Sequence, residues 1–174
     1  MKRALICAAL VLFAIPSFAQ TVANGPYYAT PSWDQTLPAA QRFIVLANFN
    51  SQAVLDRETG LVWERSPSTT RISREISRFD CINRVIGGHK GWRVPSVHEL
   101  MSLVDPSVAP PGPTLPAGHP FINIGGDLYW TATAFAFTSP VPWEVSFTTG
   151  NAGVNNATLR LVWCVRGGGP IDQY

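Results

Sequence analysis

Histidine is scarce in this sequence: His89, His98 and His119 are the only three, and no two of them stand at a metal-ligand spacing. His98-Glu99-Leu100-Met101-Ser102 begins like a zincin helix, but Ser102 stands where the second histidine must sit to face the metal. No zinc site is therefore predicted. Equally missing are a glycine-rich phosphate loop, a dinucleotide-binding fingerprint and a nucleophile elbow. The residues thus offer no catalytic constellation, no metal centre and no cofactor motif, and each histidine is assigned to the surface or to a cap.

Long hydrophobic runs are lacking as well. Ala4 to Ile15 is apolar but shorter than the roughly 20 residues that span a bilayer. Lys2 and Arg3 precede it and Ser17-Phe18-Ala19 follows, which is the pattern of a signal peptide over residues 1–19 cleaved after Ala19. Export to the periplasm, the medium or the cell surface is expected, with neither a membrane anchor nor a lipid, because Cys7 lies inside the run rather than at a lipoprotein cleavage point. The formal charge of +2 comes from thirteen basic and eleven acidic residues. Loss of Lys2 and Arg3 leaves eleven of each, so the mature chain is neutral. About 155 residues remain, enough for one domain with a real core.

Cysteine is the third scarcity. Cys7 leaves with the signal, and only Cys81 and Cys164 remain in an oxidising compartment. A disulfide is expected, the alternative being two separate thiols with catalytic roles.

What is present is a series of short patterned stretches. Residues 20–41 read as an irregular arm with Tyr27, Tyr28 and Trp33. Arg42 to Phe49 reads as a strand, and Ala53-Val54-Leu55 and Leu61-Val62-Trp63 as two more around the turn from Asp56 to Gly60. Asp56 and Thr59 offer oxygens to a cation, but a turn that caps its own backbone is the preferred reading. Thr70 to Ile86 has helical periodicity, with Ile72, Ile76, Phe79, Val85 and Ile86 as its apolar face and Gly87-Gly88 as its stop. Arg71, Arg74 and Arg78 share one flank and, with Arg84 and Lys90, form the densest basic cluster, a candidate polyanion-binding surface. The competing reading is a solvated face neutralised by Glu75 and Asp80.

Pro106 to Pro120 carries six prolines and reads as a long surface loop. Trp143 to Phe147 alternates as a strand, and Leu159 to Val165 is a final strand with Leu161, Trp163 and Val165 on one face and Val162, Cys164 and Arg166 on the other. Residues 167–174 read as a flexible tail. The most informative stretch is Gly91-Trp92-Arg93-Val94-Pro95-Ser96-Val97-His98-Glu99-Leu100. Ser96 with Glu99 three residues on is a capping box that starts a helix near Val97, with Val97, Leu100, Met101 and Val104 as its apolar face and Pro106 beyond its end. Trp92, like Trp63, Trp130 and Trp163, is assigned to the core. Arg93 is predicted to pair with a buried carboxylate, Glu99 or Glu64.

Four ordered motifs carry a resemblance. Asp56-Arg57-Glu58-Thr59-Gly60-Leu61-Val62-Trp63, Gly91-Trp92-Arg93-Val94-Pro95-Ser96, Tyr129-Trp130-Thr131-Ala132-Thr133 and Trp163-Cys164-Val165-Arg166 resemble the signature of the Lcl C-terminal domain family, although Trp163 replaces its usual arginine. The match covers about Val54 to Arg166 and implies one domain over 42–166. More distantly the pattern resembles the formylglycine-generating enzymes of the C-type-lectin-like fold. That likeness implies an α+β architecture: two helices packed on a small twisted antiparallel sheet, with long loops and one disulfide. Those oxidases need reactive cysteines, and both cysteines here are expected in the bridge, so no catalytic residue is carried over. Calcium-lectin signatures are absent. The family takes its name from the tip domain of a collagen-like adhesin, which implies a non-enzymatic exported binding module for a glycan, a polyanion or an envelope protein. No nucleic-acid partner is expected. A structural subunit of the envelope that docks through Tyr27, Tyr28, Trp33 and Trp143 is the second expectation, and a hydrolase or oxidase with a dispersed site is the third.

Overall fold

Short alternating stretches become short strands, and the computed structural model places them in two antiparallel sheets that share one core. It describes residues 37–136 and 141–168. The signal peptide expected over 1–19, most of the expected arm with Tyr27, Tyr28 and Trp33, and residues 169–174 of the expected tail lie outside the described residues. Among the described residues no helix is long and apolar enough to cross a membrane.

The larger sheet has the order β1 (Phe43–Val45), β2 (Ala53–Asp56), β3 (Val62–Glu64), β8 (Val165–Arg166), β4 (Trp92–Arg93). The chain's last strand therefore sits between β3 and β4, with Trp63 opposite Val165 and Trp92 opposite Arg166. The smaller sheet joins β5 (Leu128–Ala134), β6 (Pro142–Ser146) and β7 (Ala152–Val154). A bridge between Tyr129 and Leu161 links the segment before β8 to it. Among the described residues three α-helices, α1 (Ala39–Arg42), α2 (Arg74–Asn83) and α3 (Val97–Met101), accompany the sheets.

Both faces of the large sheet are covered, because alternate residues along its strands enter different clusters. Val54, Trp63 and Val165 join α3, Tyr129, Val145 and Phe147 in the main core. Ala53, Cys164, Trp92 and Val162 join Phe49, Cys81 and Ile86 beneath α2. Trp163 is the hub of the main core, with ring centroids of Phe121, Phe147, Trp63 and Tyr129 at 4.9, 5.3, 5.7 and 6.0 Å. Its Nε1 donates to the Glu64 carbonyl at 2.7 Å. The tryptophan that departs from the family pattern thus fills the interior and satisfies its one polar atom there.

Four readings of the sequence are corrected. Arg42 to Phe49 is not one strand: Arg42 ends α1 and turns inward, β1 stops at Val45, and Ala47–Phe49 is a 3₁₀ turn leading into left-handed Asn50. The inward turn is drawn by Asp56, whose carboxylate accepts two bonds from the Arg42 guanidinium at 2.9 and 2.7 Å. The final strand is regular only at Val165–Arg166, with isolated bridges at Arg160 and Leu161, yet its alternation between the two cores holds from Leu161 onward. The proline-rich loop is not wholly superficial: Thr114 donates from its amide to the Phe147 carbonyl at 2.7 Å, and Thr114 and Leu115 are buried. Gly112 is needed there because a Cβ would stand 1.9 Å from that same carbonyl oxygen.

The fourth correction concerns α2, which ends at Asn83, before Gly87-Gly88. Ile72 and Ile86 pack inward as predicted, but Ile76, Phe79 and Val85 face solvent. Ser77 and Cys81, four residues apart and so on one helical face, are the buried pair. Cys81 is bonded to Cys164 across an 83-residue separation with their Cα atoms 5.6 Å apart. Closing that loop contributes about 4 to 5 kcal/mol in the chain-entropy account.

Trp92, 2 % exposed, lies under α2 with its ring edge-on to Phe49 and its Nε1 donating to the His89 carbonyl at 2.8 Å. Trp92→Ala is predicted to cost about 3 to 5 kcal/mol in denaturant unfolding; a variant as stable as the parent would remove Trp92 from the core.

Candidate binding surface

Ser73 starts α2 by accepting from the Ile76 amide, and Glu75 lies in the first turn, where a negative charge is favoured. Hydrogen bonds to its own backbone amide and to Ser73 hold the Glu75 carboxyl below its usual range. With Ser77 and Cys81 turned to the sheet, the opposite side of the helix carries Ile76, Phe79 and Ile82 at successive three-residue steps. Phe79 stands at the apex, 68 % exposed, with Ile76 and Ile82 at 55 and 61 %. Val85 extends the row beyond the helix end. The amphipathicity is inverted relative to an ordinary surface helix, whose apolar stripe faces the core.

The predicted basic cluster is divided by the fold. Arg71 precedes the helix and pairs with Asp127. Arg84, the C-cap, pairs with both Asp80 and Glu64 and is largely covered. Arg74 is half-buried, and its pKa is lowered chiefly by that burial and then by neighbouring Arg78. Arg78 and Lys90 are exposed. The five cations therefore do not make one uniform surface. A cleft of about 420 Å³ opens beside the start of α2, lined by Ser73, Arg74, Asn155, Asn156 and Thr158 with Trp130 in its wall.

The motif around Arg93 is scaffold. Arg93 meets the Glu99 carboxylate through two bonds at 2.7 and 2.6 Å, while the same carboxylate accepts from the Ser96 amide at 2.9 Å and the Ser96 hydroxyl accepts from the Glu99 amide at 3.1 Å. Glu99 is fully buried. Arg93 also donates to the Gly167 carbonyl at 2.7 Å, tying β4, α3 and the chain after β8 together. Arg166 donates to the Lys90 carbonyl at 2.9 Å, and its guanidinium lies 5.7 Å from the Phe49 ring centre. Trp63 and Trp130 are buried, Trp130 with its Nε1 donating to the Ile72 carbonyl. Trp143 is half-buried against Phe135.

Asp56 and Thr59 are occupied by the fold. Asp56 accepts from the Glu58 amide at 3.0 Å as well as from Arg42, and Thr59 accepts from the Leu61 amide at 3.3 Å. That is the self-capped turn the sequence indicated. Among the described residues no group of three or more histidine, cysteine, aspartate or glutamate side chains is placed to hold a metal ion. His89 stacks on Phe49 with ring centres 3.9 Å apart, and His119 stands half-buried beside Phe121 with its pKa lowered by desolvation.

Sequence reasoning missed the outward row itself, because Ile76 and Phe79 carry the same periodicity as a core stripe. The signal that separates the two is Cys81, which cannot face the sheet together with Phe79.

The Lcl C-terminal domain family matches residues 52–166, and the chain belongs to that family. No curated protein and no solved structure matches it.

Glu64, buried on β3, gives the fold a pH signature. Burial pushes its carboxyl from the ordinary 4.5 up to about 7, against the opposing pull of Arg84. The folded chain then holds a proton that the unfolded chain has released, so this contribution to stability is complete below pH 4.5 and is lost as pH rises through about 7. Between about pH 5 and 8 the parent should lose melting temperature relative to Glu64→Gln. Parallel curves for the two proteins would contradict the raised pKa.

Proposed function

We propose that this chain is a non-enzymatic, exported binding module that docks an envelope protein through the outward face of α2. The observation that carries this reading is Phe79, held at the apex of an apolar row and turned away from the core. Exposed apolar groups in contiguous rows mark contact surfaces more often than singly scattered ones do. Engagement of both described cysteines in the disulfide supports the non-enzymatic part, because neither is a free thiol nucleophile. The antiparallel sheets, the disulfide-tethered helix and the long loop over residues 106–120 support a C-type-lectin-like arrangement.

A second reading keeps the polyanion or glycan as ligand, at Arg78, Lys90 and Arg74, the last of which lines the cleft with Asn155, Asn156 and Thr158. Exposure of Arg78 and Lys90 favours it. Neutrality of the mature chain makes such binding local and strongly salt-dependent.

Both readings are tested in one pair of experiments. A photo-crosslinking residue at position 79 should give one discrete protein adduct in the native envelope, and the same residue at exposed Arg57 should give none. No adduct at position 79 would overturn the docking reading. Retention of the parent on a heparin matrix at low salt, lost in Arg74→Ala/Arg78→Ala and kept in Phe79→Ser, would instead place a polyanion first.

A further inference from the structure

The outward row of α2 is symmetric about its centre. Ile76 and Ile82 lie three residues before and after Phe79, so an antiparallel copy of the helix, related by a two-fold axis at Phe79, sets each Ile76 level with the other copy's Ile82 and Phe79 against Phe79. An isologous interface requires such self-complementarity, since one patch must serve on both sides. At 3.6 residues per turn, Glu75 and Arg78 fall on the same edge of the row, the edge of Ile82. The two-fold keeps that edge together, and Glu75 of one copy comes to stand about 7.5 Å along the axis from Arg78 of the other, at a rise of about 1.5 Å per residue. Two long side chains span that distance. Both residues are exposed, and Glu75 would exchange its bonds to its own amide and to Ser73 for the guanidinium. The helix holds Arg74 and Arg78 against Glu75 and Asp80, so its charges cancel and two copies approach without net repulsion.

The alternatives fit less well. An anionic lipid surface would favour a cationic helix with an uninterrupted apolar face, whereas α2 is neutral and sets Glu75 and Asn83 among its apolar groups. A polyanion has no use for Phe79 and Ile82.

We infer that the occupant of the outward face of α2 is a second copy of this chain, paired antiparallel about Phe79 and fastened by reciprocal Glu75–Arg78 contacts. This rests on the reading of α2 as the contact surface and names its partner. The patch is small beside the ~800 Å² per partner of a standard interface, so the pair is a weak one that forms and parts with concentration.

Sedimentation equilibrium of the purified protein across about 1 μM to 1 mM, a span covering weak to moderate affinities, should show a monomer–dimer equilibrium. Phe79→Asp should weaken it by at least about 30-fold, as loss of a central apolar anchor does. Glu75→Arg and Arg78→Glu should each weaken it, and the two combined should restore it. Cooperative unfolding of every variant, with a melting temperature only modestly lowered where Glu75 leaves the first turn, would show that these exposed substitutions leave the fold intact. A parent that stays monomeric throughout, a dimer indifferent to Phe79→Asp, or charge reversals that do not rescue each other would overturn the pairing. The position-79 crosslink separates this outcome from the broader one. An adduct of twice the chain's mass supports the pair. An adduct with a different protein overturns the pair and leaves α2 as a contact surface, and an internal adduct with residues 20–36 overturns both.

Discussion

Cys164 lies just before the strand inserted between β3 and β4 of the large sheet, and its sulfur reaches Cys81 near the end of α2. That bond leaves the helix one orientation. A helix has a single line of closest approach to the sheet beneath it, and here Cys81 occupies it together with Ser77, one turn away. The larger side chains at Ile76, Phe79 and Ile82 are consequently carried to the far side. In an ordinary surface helix, burial of such residues would contribute about 1.5 to 3 kcal/mol each, and α2 forgoes that stabilisation. The covalent tether, the Ser73 cap, the ion pair of Arg84 with Asp80 and the hydrogen bond that Arg84 donates to Glu64 hold the helix in its place.

A second constraint makes that arrangement rigid. Glu99 completes a capping box and, with its remaining lone pairs, receives both arms of Arg93. One buried carboxylate thereby fixes the start of α3, the end of β4 and, through Gly167, the exit of β8. Removing either partner would leave a charge inside the domain, which is why such pairs are costly to break even where their net contribution is modest. Arg42 with Asp56 does the same at the opposite edge of the sheet, where its Nη2 also donates to the Ser102 carbonyl at 2.8 Å. The short strands are pinned by these links as much as by their own ladders.

The parts legible in the sequence are those where a local pattern has one structural meaning. Ser96 with Glu99 three residues on marks a helix start, Cys81 and Cys164 are the two cysteines left once Cys7 is set aside, and Arg93 near a capping glutamate has a carboxylate within reach. The parts that escaped are those where one pattern has two meanings, or where the partner is distant in the chain. Ile76 and Phe79 read as a core stripe until Cys81 is known to point inward. Leu128–Ala134 and Ala152–Val154 are strands because β6 lies between them, and their own residues alternate weakly. Of the basic cluster, Arg71 and Arg84 are taken up by Asp127 and Glu64, 56 and 20 residues away in sequence, which no helical wheel reveals.

The account's central claim is that the disulfide holds α2 with Phe79 outward, and side-chain accessibility in solution tests it most directly. Hydroxyl-radical footprinting of the oxidised protein at high dilution, read residue by residue by mass spectrometry, should find Phe79 and Ile82 among the most rapidly modified apolar side chains and Trp92 and Trp163 protected. Phe79 as well protected as Trp92 in the dilute monomer would mean that the helix buries its apolar row after all, and the contact surface proposed for it would not exist.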